Sequence, residues 1–230
     1  MARRPPSSSS PPDPFSLSPT TSFDYDRTVV AYHGTYRRAA HRLVDGEPFS
    51  PSNNRDDWLG HGIYFWEYGP QQAWWWARRR YGDDAAVVAA LIRLGWCLDF
   101  LDPANIDTLR AAHDGLEAAL HLAGLPMPRN SNYSKFLDCA VFNWLYRQEE
   151  ARGAAYDSCR AVFVAARQAQ GRSARVFPRS GVFVGGHIQI CVREPKNILA
   201  VWSVRKDGRY GKDHEETQTD ARAAAASPVP

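Results

Sequence analysis

Two short segments of the sequence combine glycine with side chains that can contact a flat, hydroxylated ligand. In the first, "YHGT", His33 stands directly before Gly34. In the second, "GHGIYFWE", Gly62 comes two residues before Tyr64. Glycine lets a ligand approach the backbone, an imidazole can donate or accept a hydrogen bond, and a phenol ring can stack on a planar group. The two segments predict one binding pocket if the fold brings them together.

Each of these residues also has a structural explanation when it is taken alone. A strand-end histidine such as His33 is more often hydrogen-bonded within the protein than to a ligand, and an aromatic residue in a strand, such as Tyr64, is usually part of the core. The sequence contains no GxxxxGK[ST], GxGxxG or GxSxG motif, so the common phosphate loops and the hydrolase elbow are not expected. It contains no HExxH motif or paired Cys/His spacing, so we expect no metal site.

Residue patterns predict an α+β fold. Runs rich in β-branched and aromatic residues predict strands, although the alanines at the start of 85–102 leave helix open there. Proline at its start and Gly82 at its end predict one helix, and apolar residues at helical spacing predict two more, the last with a serine cap and a glycine stop. The predicted strands are 28–35, 62–67, 85–102, 159–166, 187–194 and 197–205, and the predicted helices are 70–82, 104–124 and 131–153. Because strands and helices do not alternate regularly, we expect an antiparallel or mixed sheet.

The two ends of the chain differ in composition from the middle. Residues 1–26 are rich in proline and serine, and residues 207–230 are polar and rich in alanine, so both are predicted to be disordered. Residues 27–206 contain no Gly/Ser linker and no repeat, which predicts a single domain.

Charge and cysteine content indicate where the protein acts. A net charge of +3 is too small to indicate nucleic-acid binding by itself. The four cysteines are widely spaced and follow no secretory segment, which suits a reducing compartment. No apolar run approaches the roughly 18 residues that span a bilayer. We therefore expect a cytoplasmic protein with no membrane segment.

The order of these motifs resembles the ADP-ribosyltransferase superfamily, in the branch of diphtheria toxin and the poly(ADP-ribose) polymerases. The resemblance depends on "YHGT", on "GIYF" followed by the helix "QQAWWWARR", and on a late strand that begins with a polar residue. It implies a split β-sandwich of two small sheets with flanking helices, and NAD as co-substrate. In this family His33 would bind the adenosine-side ribose, the backbone of Gly34 the nicotinamide carboxamide, and the ring of Tyr64 the nicotinamide ring.

The third member of the family's His-Tyr-Glu triad is replaced here. Gln189 matches that position, and His187, two residues earlier on the same strand face, is the alternative. A neutral amide keeps the hydrogen bonds to ribose but has no charge or basicity, so we expect transfer of one ADP-ribose unit rather than chain elongation. The proton of the acceptor would then go to another group, for which His187 and Glu67 are the candidates.

Further contacts to NAD are implied by the same resemblance. Thr35 and Gly62 belong to the two glycine-containing segments, and the polar loop between them borders the cleft with Ser52, Asn53 and Arg55. The structural alternative to a binding role is that this loop is a series of turns formed by its Asn and Asp residues.

The resemblance implies an NAD-dependent mono-ADP-ribosyltransferase that modifies a macromolecular acceptor, protein or nucleic acid. Such free-standing domains resemble bacterial toxins or phage-defence effectors, for which a neutralising antitoxin is expected. Two alternatives remain. One is an NAD-dependent RNA 2′-phosphotransferase, for which Arg55 and Arg129 are the candidate residues; the other is a non-catalytic module of the same fold that binds a nucleotide or a partner.

The helix after the second motif carries three tryptophans and then three arginines, Trp74–Trp76 and Arg78–Arg80. Three consecutive residues point in three directions around a helix, so one or two tryptophans should be buried and one partly exposed. The arginines are predicted to be a solvated helix end that complements the helix dipole, with an acidic or nucleic-acid acceptor as the less favoured reading.

Overall fold

The computed structural model describes residues 26–131, 134–164 and 175–205. The predicted strands and helices occur in the predicted order along the chain. Seven strands form: β1 (Thr28–Tyr36), β2 (Ile63–Glu67), β3 (Ala85–Arg93), β4 (Cys97–Asp99), β5 (Ser158–Phe163), β6 (His187–Val192) and β7 (Ile198–Val204). Four α-helices accompany them: α1 (Arg37–Val44), α2 (Pro70–Tyr81), α3 (Ile106–Leu122) and α4 (Phe136–Ala151). None of the helices in these ranges is long and apolar enough to cross a membrane.

The α+β class is confirmed. All seven strands are hydrogen-bonded in one open sheet, in the order β4-β5-β6-β2-β1-β3-β7. Only β4 and β5 pair in parallel, and the other neighbours are antiparallel. The sheet is therefore mixed, as expected, but its strands form one sheet where the resemblance implied two.

The ladder in the middle of this single sheet is short. The register of β1 with β2 consists of two residue pairs, Ala31 with Glu67 and Tyr32 with Trp66. By contrast, β1 pairs with β3 from Thr28 to Tyr36. The sheet thus has two halves, β4-β5-β6-β2 and β1-β3-β7, which separate beyond Tyr32 and Trp66.

A shared core holds the two halves together. It contains buried apolar residues from strands of both halves, among them Ala31, Ala90, Phe65 and Ile190. The opposite face is covered by helices: α3 and α4 pack on the half that contains β5 and β6, and α2 packs on β1 and β3. Each half is therefore buried on both faces, while the junction between them has few ladder bonds.

Three local features differ from the sequence prediction. The predicted strand 85–102 is divided into β3 and β4. Helix α1 was not predicted; it has eight residues and buries only Ala40 and Leu43. Helix α4 has no serine cap, because Lys135 occupies the N-cap position, and the side chain of Asn130 accepts hydrogen bonds from the first-turn N–H groups of Leu137 and Asp138 instead. The predicted glycine stop is present just after α4, at Gly153, with a φ of 75°.

The predicted tails lie outside the described residues, with one exception. Asp26 was assigned to the N-terminal tail, but its carboxylate binds the guanidinium of Arg93 and accepts a hydrogen bond from the backbone N–H of Gly95 at 3.1 Å. Asp26 is therefore bonded to the end of β3 and the turn that follows it.

Buried charges join β5 to β4 and to β2 on the face that carries the shared core. The side chain of Arg160 on β5 donates to Glu67 at 2.8 Å and to Asp99 at 3.1 Å, and these three side chains are 8%, 3% and 3% exposed. Arg27, which lies at the protein surface, donates a further hydrogen bond to Asp99 with a length of 2.9 Å. Burial makes each charge depend on its partners, since an unpaired charge in the interior is costly.

We expect Arg160→Ala to lower the free energy of unfolding by about 3–5 kcal/mol, because it leaves two buried carboxylates without their shared partner. The matched control is Arg110→Ala, which removes an exposed ion pair with Asp107 and should cost less than about 1 kcal/mol. Urea denaturation followed by circular dichroism measures both. Equal losses for the two variants would contradict the structural role of Arg160.

Candidate functional site

His33 lies at the point where β1 and β2 separate. Its Nδ1–H donates to the carbonyl oxygen of Tyr64 at 2.9 Å, so the side chain of one strand bonds to the backbone of the other just past their last residue pair. The ring contacts Phe49 and Phe65, with centroid distances of 5.3 Å and 5.6 Å. The structure thus brings the two glycine-containing segments together at the junction between the halves.

This environment sets the protonation state of His33. Burial lowers the pKa of His33, while the hydrogen bond to Tyr64 acts in the opposite direction. The ring is therefore neutral near pH 7. Because Nδ1 carries the proton that the carbonyl accepts, Nε2 has a lone pair that can accept a hydrogen bond from a ligand hydroxyl.

Gly34 has a packing reason to be glycine. A Cβ atom at this position would lie 2.6 Å from the carbonyl oxygen of Ala73 and 3.2 Å from the ring of Trp76, both on α2. The missing side chain lets α2 approach β1, so the α2 side of Gly34 is already covered. A ligand would reach this residue through its backbone groups, and Thr35, the next residue, is buried.

Tyr64 projects from the opposite face of the sheet from His33. Its neighbour Phe65 contacts His33, and side chains alternate along a strand, so Tyr64 points towards α4, where it packs against the cluster that contains Cys191. The hydroxyl donates to the carbonyl of Gly60 at 2.7 Å and accepts from the N–H of Leu59 at 2.9 Å. Burial raises the pKa of Tyr64, so the phenol stays protonated.

Gln189 lies on the same face as Tyr64 and forms a chain of side-chain hydrogen bonds. Its Oε1 accepts from Nε1–H of Trp58 at 2.6 Å, and its Nε2–H donates to Nε2 of His187 at 3.0 Å. His187 in turn donates from Nδ1 to the carbonyl of Gly185 at 2.7 Å. Trp58 therefore fixes which way the amide of Gln189 points, and the amide fixes the tautomer of His187. We refer to Trp58, Gln189 and His187 as the amide relay.

The amide relay ends at a cavity of about 720 Å³ between α2 and the segment before β6. His187 lines this cavity, together with Trp75, Arg79 and Phe163. Gln189 lies two residues further along β6, behind His187. Both candidates for the third position of the triad therefore lie on one face of the sheet, and of the two His187 lines the cavity.

Glu67 is not available as a base. Both of its carboxylate oxygens bind the guanidinium of Arg160, and the side chain lies on the face of the sheet opposite to Gln189. Burial lowers the pKa of His187, with the bond to Gly185 acting against this effect, so His187 is neutral near pH 7. Of the two candidate bases, only His187 remains.

The loop candidates mainly hold the loop in place. Ser52 pairs with Gly62 through two backbone hydrogen bonds, and its hydroxyl donates to Asp57 at 3.0 Å. The guanidinium of Arg55 lies 5.7 Å from the ring centroid of Phe136 on α4, and Asn53 is exposed. None of the contacts found for these three side chains reaches the amide relay.

The glycines before Tyr64 allow close packing within the protein. Gly60 has a φ of 77°, and a Cβ atom there would lie 2.7 Å from the ring of Tyr146. A Cβ atom at Gly62 would lie 2.5 Å from the sulfur of Cys191. The second motif therefore places the loop tightly against α4 and β6, so that the carbonyl of Gly60 reaches the Tyr64 hydroxyl.

Two important neighbours were not singled out from the sequence. Trp58 orients Gln189, and Phe49 covers the ring of His33. Both belong to the loop before β2, and nothing in the spacing of that loop distinguishes them from ordinary loop aromatics. Only the paired geometry of β2 and β6 shows which amide Trp58 meets.

One group of metal-ligand types occurs in the described ranges. The ligand atoms of His113, Asp114 and Glu117 on α3 lie within 4.8 Å of one another. The two carboxylates are exposed, and exposed acidic groups commonly hold no ion, so we assign no metal role to them.

The buried histidines predict a loss of stability in mild acid. The unfolded chain binds protons at an ordinary histidine pKa near 6.5, whereas folded His33 has a lowered pKa, so folding becomes less favourable as the pH falls below about 6.5. The effect is at most about 1.4 kcal/mol per pH unit for one histidine. Urea denaturation between about pH 7.5 and 5.5 should show a smaller slope for His33→Gln than for the wild type. The exposed-site control His121→Gln should keep the wild-type slope, and an unchanged slope in His33→Gln would contradict the assignment.

We expect Gly62→Ala to lower the free energy of unfolding by about 1–3 kcal/mol, since the new methyl group overlaps Cys191 and Val192. Gly181→Ala is the control, because no atom lies within 4 Å of a Cβ placed there, and its effect should stay within about 0.5 kcal/mol. Thermal and urea denaturation check both variants. A fully stable Gly62→Ala protein would show that the loop is free to move away from β6.

Comparison with known proteins adds one short similarity. No family model and no solved structure matches the chain. A stretch of 39 residues is 44% identical to part of a protein of Methanocaldococcus jannaschii that is described as uncharacterized. The match covers 17% of this chain and 18% of that protein, so the chain spans less than a fifth of the relative's length in the alignment. This similarity is too short to establish a family.

Proposed function

We propose that the chain is an NAD-dependent mono-ADP-ribosyltransferase that cleaves the bond between nicotinamide and ribose and transfers ADP-ribose to a macromolecular acceptor. The observation that carries the proposal is the meeting of the His-Gly-Thr and Ile-Tyr-Phe segments where the β1–β2 ladder ends, joined by the bond from His33 to the carbonyl of Tyr64. Beyond the last residue pair the backbone edges of the two strands are no longer bonded to each other, and the His33 side chain lies between them.

The residue types at this junction suit the chemistry. As nicotinamide leaves, positive charge develops on the ribose, and the leaving group itself is neutral, so no strong acid is required. Positioning contributes most: Nε2 of His33 accepts from a ribose hydroxyl, and the backbone of Gly34 binds the carboxamide. Tyr64 supplies an aromatic wall whose position is fixed by the two hydrogen bonds of its hydroxyl.

The amide relay takes the place of a carboxylate. The amide of Gln189 uses one N–H for His187 and one lone pair for Trp58, which leaves a second N–H and a second lone pair for the ribose. His187 is neutral, and its Nε2 lone pair can accept the proton of the acceptor where the acceptor displaces the N–H of Gln189; the bond from Trp58 to the Gln189 oxygen is kept. The absence of charge favours a single transfer over chain elongation.

A non-catalytic binding module of the same fold is the second candidate. It is favoured by the sequence of β6, His187–Val192, which carries no carboxylate, and by the closed hydrogen bonding of the amide relay. The RNA 2′-phosphotransferase has less support, since Arg55 lies over Phe136 and Arg129 is exposed. A role as a cytoplasmic toxin or defence effector with a neutralising antitoxin belongs to the first proposal.

The test is release of nicotinamide from NAD by the purified chain, followed by separation of labelled products into protein, RNA and DNA. We expect His33→Ala to lower the release rate at least about 100-fold, because a displaced ligand loses its reactive geometry. His121→Ala, an exposed histidine on α3, is the matched control and should keep the wild-type rate.

Three results would count against the transferase. Nicotinamide release that survives both His33→Ala and Tyr64→Ala would remove the proposed site. Binding of NAD without release would select the non-catalytic module, and removal of a 2′-phosphate from RNA would select the phosphotransferase. Circular dichroism of each variant separates a lost activity from a lost fold.

A further inference from the structure

The cavity beside His187 is lined by amide, aromatic and positively charged side chains. Helix α2 contributes two amides, two indoles and two guanidiniums, and the far wall is Phe163, Val184, Gly185 and His187; the α2 residues are Gln71, Gln72, Trp74, Trp75, Arg78 and Arg79. No carboxylate is among these lining residues. The cavity therefore combines flat aromatic surface, positive charge and amide groups.

The tryptophans and arginines of α2 are matched at a spacing of four residues. Arg78 lies over the ring of Trp74, Arg79 over Trp75 and Arg80 over Trp76, with distances of 5.9 Å, 5.0 Å and 5.8 Å to the ring centroids. Trp74 is buried and Trp75 is 51% exposed, in agreement with the prediction that one or two of the three tryptophans are buried and one is partly exposed. A large indole left half in water beside guanidiniums is not explained by the core.

We propose that this cavity binds single-stranded nucleic acid, and that nucleic acid is the ADP-ribose acceptor; the acceptor role rests on the proposed function, and the binding does not. Aromatic side chains stack on bases regardless of sequence, and arginines bind phosphates. An acidic peptide would use the guanidiniums but would leave the exposed indole without a planar partner. The combination favours a chain of bases and phosphates.

The position of the cavity supports the acceptor role. A base stacked on Trp75 lies in the same cavity as His187, and His187 is hydrogen-bonded to Gln189. An acceptor atom held there would be close to the amide relay that we assign to the ribose. The acidic residues that flank α2 along the chain, Glu67 before it and Asp83 and Asp84 after it, do not line the cavity.

Binding is tested on the full chain without NAD, using fluorescein-labelled single-stranded DNA and RNA of about 12 nucleotides and fluorescence anisotropy. We expect Trp75→Ala to raise the dissociation constant about tenfold, and Trp75→Phe to have a smaller effect, because loss of one stacked base weakens binding. Arg79→Ala should reduce the slope of log affinity against log salt by about 0.7, the value for one phosphate of a single strand.

Two variants serve as controls. Trp96→Ala removes another exposed indole, 43% accessible and stacked on Tyr156, and Arg110→Ala removes an exposed arginine on α3. Both should bind the oligonucleotides like the wild type. Their folded state, and that of the Trp75 and Arg79 variants, is checked by circular dichroism.

Three outcomes would contradict a nucleic-acid site in this cavity. One is that the oligonucleotides do not bind at about 50 mM salt, and another is that Trp75→Ala and Trp96→Ala weaken oligonucleotide binding equally. Displacement of the oligonucleotide by NAD would assign the cavity to the co-substrate. The acceptor role fails separately if nicotinamide is released while the bound oligonucleotide receives no label. If nicotinamide is never released, the transferase proposal fails, and Trp75-dependent binding still establishes the nucleic-acid site.

Discussion

The architecture of the candidate site depends on an incomplete strand ladder. Antiparallel neighbours normally exchange backbone hydrogen bonds along their full overlap, yet β1 and β2 pair at only two positions. The imidazole of His33 occupies the place where the ladder would continue and bonds to the Tyr64 carbonyl itself. The shared apolar core and the buried charges around Arg160 keep the two halves in contact, so the opening does not divide the domain.

Strand alternation then distributes the site over two faces of the sheet. His33 faces the shared core, whereas Tyr64 and Gln189 face the helices, because they lie at opposite phases of their strands. A ligand bound on one face would therefore contact either His33 or the pair Tyr64 and Gln189. Gly34 lies where the two strands separate, and α2 covers its Cα, so packing accounts for glycine at this position.

Most elements of the fold follow from local sequence patterns, and the missing parts have physical reasons. Six strands were predicted from runs of strand-forming residues, one of which the structure divides into β3 and β4. Two of the three long helices were predicted from apolar periodicity, and α2 from its proline start and glycine end. Helix α1 was not predicted because it is short and buries few residues. The cap of α4 comes from the side chain of Asn130, which reaches the first turn of the helix from seven residues before Leu137. The adjacency of His33 and the Tyr64 backbone was predictable from motif order, whereas the partner of Gln189 depends on the register of β2 with β6, which no single sequence specifies.

The amide relay suggests how a site without a carboxylate can still be ordered. A free glutamine amide can rotate between two nearly isosteric orientations, and the indole N–H of Trp58 selects one by donating to its oxygen. The amide must then donate towards His187, and because the Gly185 carbonyl accepts from Nδ1, the imidazole is held as the neutral tautomer with its lone pair on Nε2. Burial also lowers the pKa of His187, which favours the same neutral form. Neutral groups held in fixed orientations cost less to bury than a carboxylate, so the hydrophobic surroundings of Phe163 and Trp58 are compatible with a polar site at this position.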